Sequence, residues 1–145
     1  MYWSKDGNAE GMCKGPADMD DFRMKFDSLE EQQEDPDSIY NYVKQVIRLR
    51  NQNPVIARGT TAYLEQYSGE QCFALTRSYE GSNLLLLGNT SAEAVSVDLT
   101  GLTVGGTTAE ELVLLGELYT GEETAERAGA VVTLPAYSIL ILGEE

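Results

Sequence analysis

Residues 72–99 read CFALTRSYEGSNLLLLGNTSAEAVSVDL, and the fold turns on this run. Three strand-length segments, 72–79, 83–89 and 94–99, are separated by the turn signals Glu80-Gly81-Ser82 and Asn89-Thr90-Ser91. The alternation Val95-Ser96-Val97-Asp98-Leu99 predicts a half-buried strand, whereas the unbroken Leu84-Leu85-Leu86-Leu87 predicts one covered on both faces.

The same pattern continues to either side. Strands are predicted at 62–67, 111–118, 130–134 and 138–142, with turns at Ser68-Gly69-Glu70, Gly105-Gly106 and Gly121-Glu122-Glu123. Seven short strands with no helical periodicity among them predict an antiparallel sandwich or barrel over residues 59–145. Gly59-Thr60-Thr61 and Gly105-Gly106-Thr107-Thr108 lack the strand-loop-helix setting and the Lys of a phosphate loop, and so read as turns.

One helix precedes this region. Asp35 is placed to cap it, Pro36 suits its first position, and Asp37 puts negative charge near the positive end of the dipole. Ile39, Tyr42, Val43, Val46, Ile47 and Leu49 then recur at helical offsets, Lys44, Arg48 and Arg50 lie toward the C-terminal end, and Pro54 stops the run. The apolar stripe must be covered, so the helix is expected to fold back on the sandwich, to pair with a second copy, or to be disordered. Residues 1–34, rich in Gly, Asp and Met, predict an irregular arm. The expected organisation is an arm and helix over 1–58 and a β-sandwich over 59–145.

Several of these segments are family-like. Met1-Tyr2-Trp3-Ser4 resembles the P-M-x-W segment after the eighth barrel strand of the α-amylase family, glycoside hydrolase family 13. Residues 37–50, followed by Asn53-Pro54 and Gly59, resemble that family's last barrel helix with its S-x-x-x-Y-x-x-x-I-x-L-R pattern. Leu134-Pro135-Ala136-Tyr137-Ser138 resembles the L-x-P-Y/W-x-S/A turn before its final strand. The resemblance implies a Greek-key β-sandwich of the domain C type, preceded by the end of a (β/α)8 barrel. It also implies that the family's catalytic carboxylates, which follow barrel strands four, five and seven, correspond to no residue of this sequence. Trp3 would approach the sugar cleft, and the implied partners are an α-glucan, a catalytic barrel or a second copy of the chain.

Composition narrows the alternatives. The net charge of −14 repels phosphate backbones and anionic lipid, so neither nucleic acid nor a membrane is an expected partner. The sequence has no His, which removes ordinary triad chemistry and the commonest zinc ligand. No apolar run approaches the ~18 residues of a membrane helix. Met1-Tyr2-Trp3-Ser4-Lys5-Asp6 does not open like a secretory leader, so the expectation is a cytoplasmic protein or a piece of a longer one, the parent enzyme then being secreted or at the cell surface. Cys13 and Cys72 leave open two separate thiols or one long-range disulfide.

The candidate sites are few. Asp6, Asn8 and Glu10 alternate before Gly11 like the start of a calcium loop and are candidate Ca2+ ligands, although the twelfth position falls on Ala17. No cofactor is otherwise required. Trp3, Tyr63 and Tyr67 are candidate sugar platforms, the two tyrosines on one strand face by their even separation. Glu30-Glu31, Glu110-Glu111 and Glu122-Glu123 are adjacent, which on a strand points them to opposite faces, so no catalytic pair stands out. Three functions follow: a non-catalytic accessory domain, a free-standing carbohydrate-binding module, or a small β-sandwich glycosidase.

Overall fold

The computed structural model describes residues 3–5 and 26–144, and the chain falls into two compact units, Met1–Gln45 and Val46–Glu145. The described residues form three α-helices and ten strands. The larger unit is an antiparallel sandwich. Strands β1 (Thr60–Tyr63), β2 (Cys72–Tyr79), β3 (Ser82–Asn89), β7 (Val113–Leu118) and β10 (Ile139–Gly143) make one sheet in the order β1-β2-β3-β10-β7. Strands β4 (Val95–Asp98), β8 (Glu126–Ala128) and β9 (Val131–Leu134) make a second in the order β4-β9-β8, and β5 (Thr103–Val104) pairs with β6 (Thr107–Thr108). The chain leaves the first sheet after β3 and returns as β7 and finally as β10, which inserts between β3 and β7 in the Greek-key manner.

The turns explain the pairing. Tyr79 opposes Ser82 across a two-residue loop in which Glu80 and Gly81 both have positive φ, 50° and 86°, the twist that suits a tight hairpin. Gly105 and Gly106, at 63° and 102°, do the same between β5 and β6.

The leucine run of β3 is divided by the pleat. Leu85 and Leu87 point between the sheets, where they meet Ala74, Leu140 and Leu142 of the same sheet and Val97, Val132 and Leu134 of the other. Leu84 and Leu86 face the other way, into a second cluster with Val55, Ile141, Leu49, Ile56, Tyr79, Leu115 and Ile139. Each large side chain removed from water contributes about 1.5–3 kcal/mol, so the run supports two layers of packing.

The outer layer is covered by the end of a helix. Helix α2 (Ile39–Gln52) stops before Pro54, which opens α3 (Pro54–Arg58), and Asn53 Nδ2 donates to the Leu49 carbonyl at 2.9 Å to satisfy the end of α2. Leu49 sits directly on Gly116 of β7, where a Cβ would run into Leu49 Cδ2. Arg77 then fastens α3 to the sheet. Its Nε donates to the Val55 carbonyl at 3.1 Å, its Nη2 to the Gly59 carbonyl at 2.7 Å, and its Nη1 to Thr61 Oγ1 at 2.6 Å.

A buried amide holds the other end of the sandwich. Asn89 Nδ2 donates to the carbonyls of Glu93 (2.7 Å), Leu134 (3.2 Å) and Pro135 (2.8 Å), while its Oδ1 accepts from the Ser91 amide and hydroxyl. Ser138 Oγ closes the same turn on the Pro135 carbonyl at 2.7 Å. This network fixes the Leu134 to Ser138 turn, in which Tyr137 has φ 49°.

The smaller unit corrects two expectations. Part of the arm is helical: α1 (Leu29–Glu34) starts in a capping box in which the Glu31 amide donates to Ser28 Oγ and the Ser28 amide to Glu31 Oε2. Helix α2 begins at Ile39 and not at Pro36, because Asp35 ends α1 and accepts the Asp37 amide at 2.9 Å, leaving Ser38 Oγ to accept the Asn41 amide at 3.2 Å. Asn41 Nδ2 gathers the carbonyls of Gln32, Gln33 and Asp35.

Candidate functional site

Two kinds of surface carry residues that the sandwich does not bury. The first is a face of α2. In the second half of the helix Val46 and Ile47 are exposed at 36% and 52%, although Leu49 beside them is packed on Gly116. In its first half Ile39 and Val43 are also exposed. The helix therefore forms in full and its last turn does fold back on the sheet, but by its Leu49 flank and not by the whole stripe. Val46 and Ile47 thus leave apolar side chains of the helix uncovered among the described residues.

The second surface is aromatic. Trp3 is 58% exposed, and its support is specific: its carbonyl accepts the Glu30 amide at 3.2 Å, and the Glu30 carboxylate accepts the Ser4 hydroxyl at 3.2 Å and the Lys5 amide at 3.1 Å. The segment that carries the indole is thus tied to the first turn of α1. Tyr63, at the end of β1, is also 58% exposed. Tyr67 differs: it is half-buried, packs against the inner core, and its hydroxyl donates to the Thr100 carbonyl at 3.4 Å.

The expected strand over 62–67 is corrected here, since Tyr63 and Tyr67 share no strand face. Beyond Tyr63 the side chain of Leu64 packs on the core and a 3-10 turn, Glu65–Tyr67, follows. Ser68 Oγ then accepts the Ala74 amide at 2.9 Å in place of a strand neighbour. Residues 60–61, read as a turn, instead begin β1. Tyr137, quoted above only within the final turn, is a further exposed aromatic held with its backbone amide on the Ser91 carbonyl.

Several of the described carboxylates are engaged locally. The Ser28 hydroxyl, then the Ser28 amide, hold Glu31 below the usual carboxylate range; Thr108 does the same to Glu111, and Thr100 to Asp98. A glycosidase acid needs the reverse, a carboxyl group kept protonated by its surroundings. Asp6, Asn8, Glu10 and Cys13 lie outside the described residues, while Cys72 is half-buried on β2 against the core. Among the described residues no group of three or more His, Cys, Asp or Glu is placed to hold a metal, and no helix is long and apolar enough to cross a membrane.

An antiparallel Greek-key sandwich, its larger sheet backed by the end of a helix and its last strand entered through a fastened Pro-containing turn, is a domain of the domain C class. Solved structures carry the assignment further. Amy13B of Eubacterium rectale is 38% identical over 100% of this chain, with a TM-score of 0.87, and the chain spans 27% of it. The trehalulose synthase MutB from Pseudomonas mesoacidophila MX-45 is 25% identical over 81% of the chain (TM-score 0.63, 20% of that protein). The α-amylase from H. orenii shares the fold at 23% identity over 83% (TM-score 0.63, 23% of that protein). No sequence-family model matches the chain, and no curated protein sequence does. These neighbours are α-amylase family enzymes, and the chain is similar to part of each, consistent with their C-terminal part.

Proposed function

We propose that the chain is the non-catalytic accessory domain of an α-amylase-type hydrolase acting on starch or maltodextrin, and that the exposed face of α2 is where it joins the catalytic barrel. The observation that carries this reading is the division of α2: Leu49 is built into the sandwich, whereas Val46 and Ile47 remain in water. A helix end fixed to one domain and apolar toward the outside is a bracket between two domains. The similarity to a protein of which the chain spans 27% supports the same reading.

The test is turnover by the pure chain on soluble starch and on a chromogenic maltoside. No hydrolysis is expected, and activity abolished by changing one carboxylate would overturn the reading. Within it, Trp3 and Tyr63 are the α-glucan contacts, because each presents an exposed ring. Affinity electrophoresis in starch gels should show retardation weakened in Trp3→Ala and Tyr63→Ala. Calcium on Asp6, Asn8 and Glu10 belongs to the same proposal, and calorimetric titration of the chain with Ca2+ checks it against Asp6→Asn.

A further inference from the structure

The exposed face of α2 is not wholly apolar. Arg50 stands four residues after Val46 and three after Ile47, so it shares their face, whereas Arg48, two positions away, does not. Of the other arginines of the sandwich unit, Arg77 and Arg127 donate to backbone carbonyls, Arg58 lies over the Tyr79 ring at 6.0 Å, and Arg48 is exposed on the other side of the helix. Arg50 is exposed and has no hydrogen bond or ion pair among the described residues.

Charge is segregated along the chain in the same sense. Residues 39–58 hold Lys44, Arg48, Arg50 and Arg58 with no carboxylate, a charge of +4 that leaves −18 on the rest of a chain whose total is −14. Two copies of the helix laid face to face would bring Arg50 toward its own like charge. The surface that covers this face has to be apolar with an anion in it, because a guanidinium that loses water without a partner is strongly unfavourable.

We propose that Arg50 is the polar pin of the domain junction: when the barrel of an α-amylase-type enzyme covers Val46 and Ile47, the Arg50 guanidinium pairs with a carboxylate of that barrel and fixes the register of docking. Its planar fork of donors matches a carboxylate in two parallel hydrogen bonds, which a Lys at this position could not reproduce. The inference rests on the accessory-domain reading for the identity of the barrel, and adds the chemistry that the barrel must present.

The experiment is a hybrid enzyme in which this chain replaces the matching segment of the Eubacterium rectale relative, compared with the chain alone. In the hybrid, Ile47→Asp and Arg50→Met should each lower the barrel's thermal midpoint by on the order of 5 °C, and Arg50→Lys by less. In the chain alone Arg50→Met should move the midpoint by no more than about 1 °C, since the side chain is already solvated. Loss with Ile47→Asp but none with Arg50→Met would remove the carboxylate pairing and leave the docking standing. No loss with either, or a hybrid that does not fold, would overturn the docking itself. Dimerisation of the chain alone, abolished by Ile47→Asp in sedimentation, would assign the face to a second copy and overturn the proposal.

Discussion

The two faces of the five-stranded sheet draw on the same four leucines and end in different states. On the inner face Leu85 and Leu87 are fully buried, and the layer above them, including Leu99, Leu112, Val132 and Leu134, is buried as completely. On the outer face Leu84, Ile141 and Val55 are buried, but the rest of the cluster, Leu49, Ile56, Tyr79, Leu86, Leu115 and Ile139, is only partly so. The inner layer is fully buried, whereas the outer one keeps a partly exposed cover, which on the proposed accessory-domain reading is the junction with the barrel. A large effect on stability belongs to the first, and under that proposal an effect that depends on a partner belongs to the second.

The strongest way to break that contrast is to delete the same atoms on each side. Leu87→Ala should destabilise the chain by about 2–5 kcal/mol, because both sheets hold the cavity open. Leu84→Ala should cost about half as much in the chain alone, since a partly exposed cover can settle and admit water. Urea unfolding of both variants reads the difference. Equal losses would mean that the outer cluster is already a complete core.

Next in size is the buried amide. Asn89→Ala removes the donor shared by the carbonyls of Glu93, Leu134 and Pro135, of which Glu93 keeps Ser91 Oγ and Pro135 keeps Ser138 Oγ, and we expect a loss of about 2 kcal/mol, again by urea unfolding. The outer counterpart is Arg77→Met, which takes the guanidinium from the Gly59 carbonyl and from the Val55 carbonyl, the latter keeping the Gly59 amide, and should cost about 1–2 kcal/mol. Hydrogen exchange should locate that loss in α3 and the end of α2, with β3 and β10 still protected. Protection lost uniformly would show that the helix end and the sheet unfold as one piece.

These same residues mark what could be read in advance. The leucine run announced a strand covered twice, and Glu80-Gly81 announced its hairpin, because both signals are local. The strands β5 and β6 have two residues each, too few to show a period. In β8, Glu126-Arg127-Ala128, the pairing is supported by Arg127 reaching the Leu112 and Ala109 carbonyls, a contact made far along the chain. Ser28 and Glu31 did carry a legible helix start within a segment whose Gly and Asp content suggested none. For the apolar face of α2, the 3.6-residue period identified the stripe but not its exposed part. Which flank is covered depends on Leu49 meeting Gly116, a residue of a distant strand whose role only the packing reveals. The aromatic candidates divided for a similar reason: Ser68 ends β1 early, so Tyr63 stays in water and Tyr67 turns inward.

The smallest effect lies at the end of β7, the strand that holds Gly116, and it separates the junction from the loop beside it. The Tyr119 hydroxyl donates to the Glu117 carboxylate and accepts the Ala125 amide at 3.0 Å, pinning the loop between β7 and β8. Burial first, and then the bond to Glu117, push the Tyr119 phenol up to about 12 from its ordinary 10. The folded chain therefore keeps a proton that the unfolded chain releases. The contribution is fully present below pH 10 and is lost as pH rises toward 12. For a half-exposed ring the loss is about 1 kcal/mol after solvent screening. Unfolding measured between pH 9 and roughly 12 should show this decline in the wild type, and Tyr119→Phe should flatten it, because the variant has no proton to lose. If hydrogen exchange at high pH exposes the β7–β8 loop while the α3 amides held by Arg77 stay protected, the junction is stabilised independently of that edge; simultaneous opening would make β7 a single lever for both.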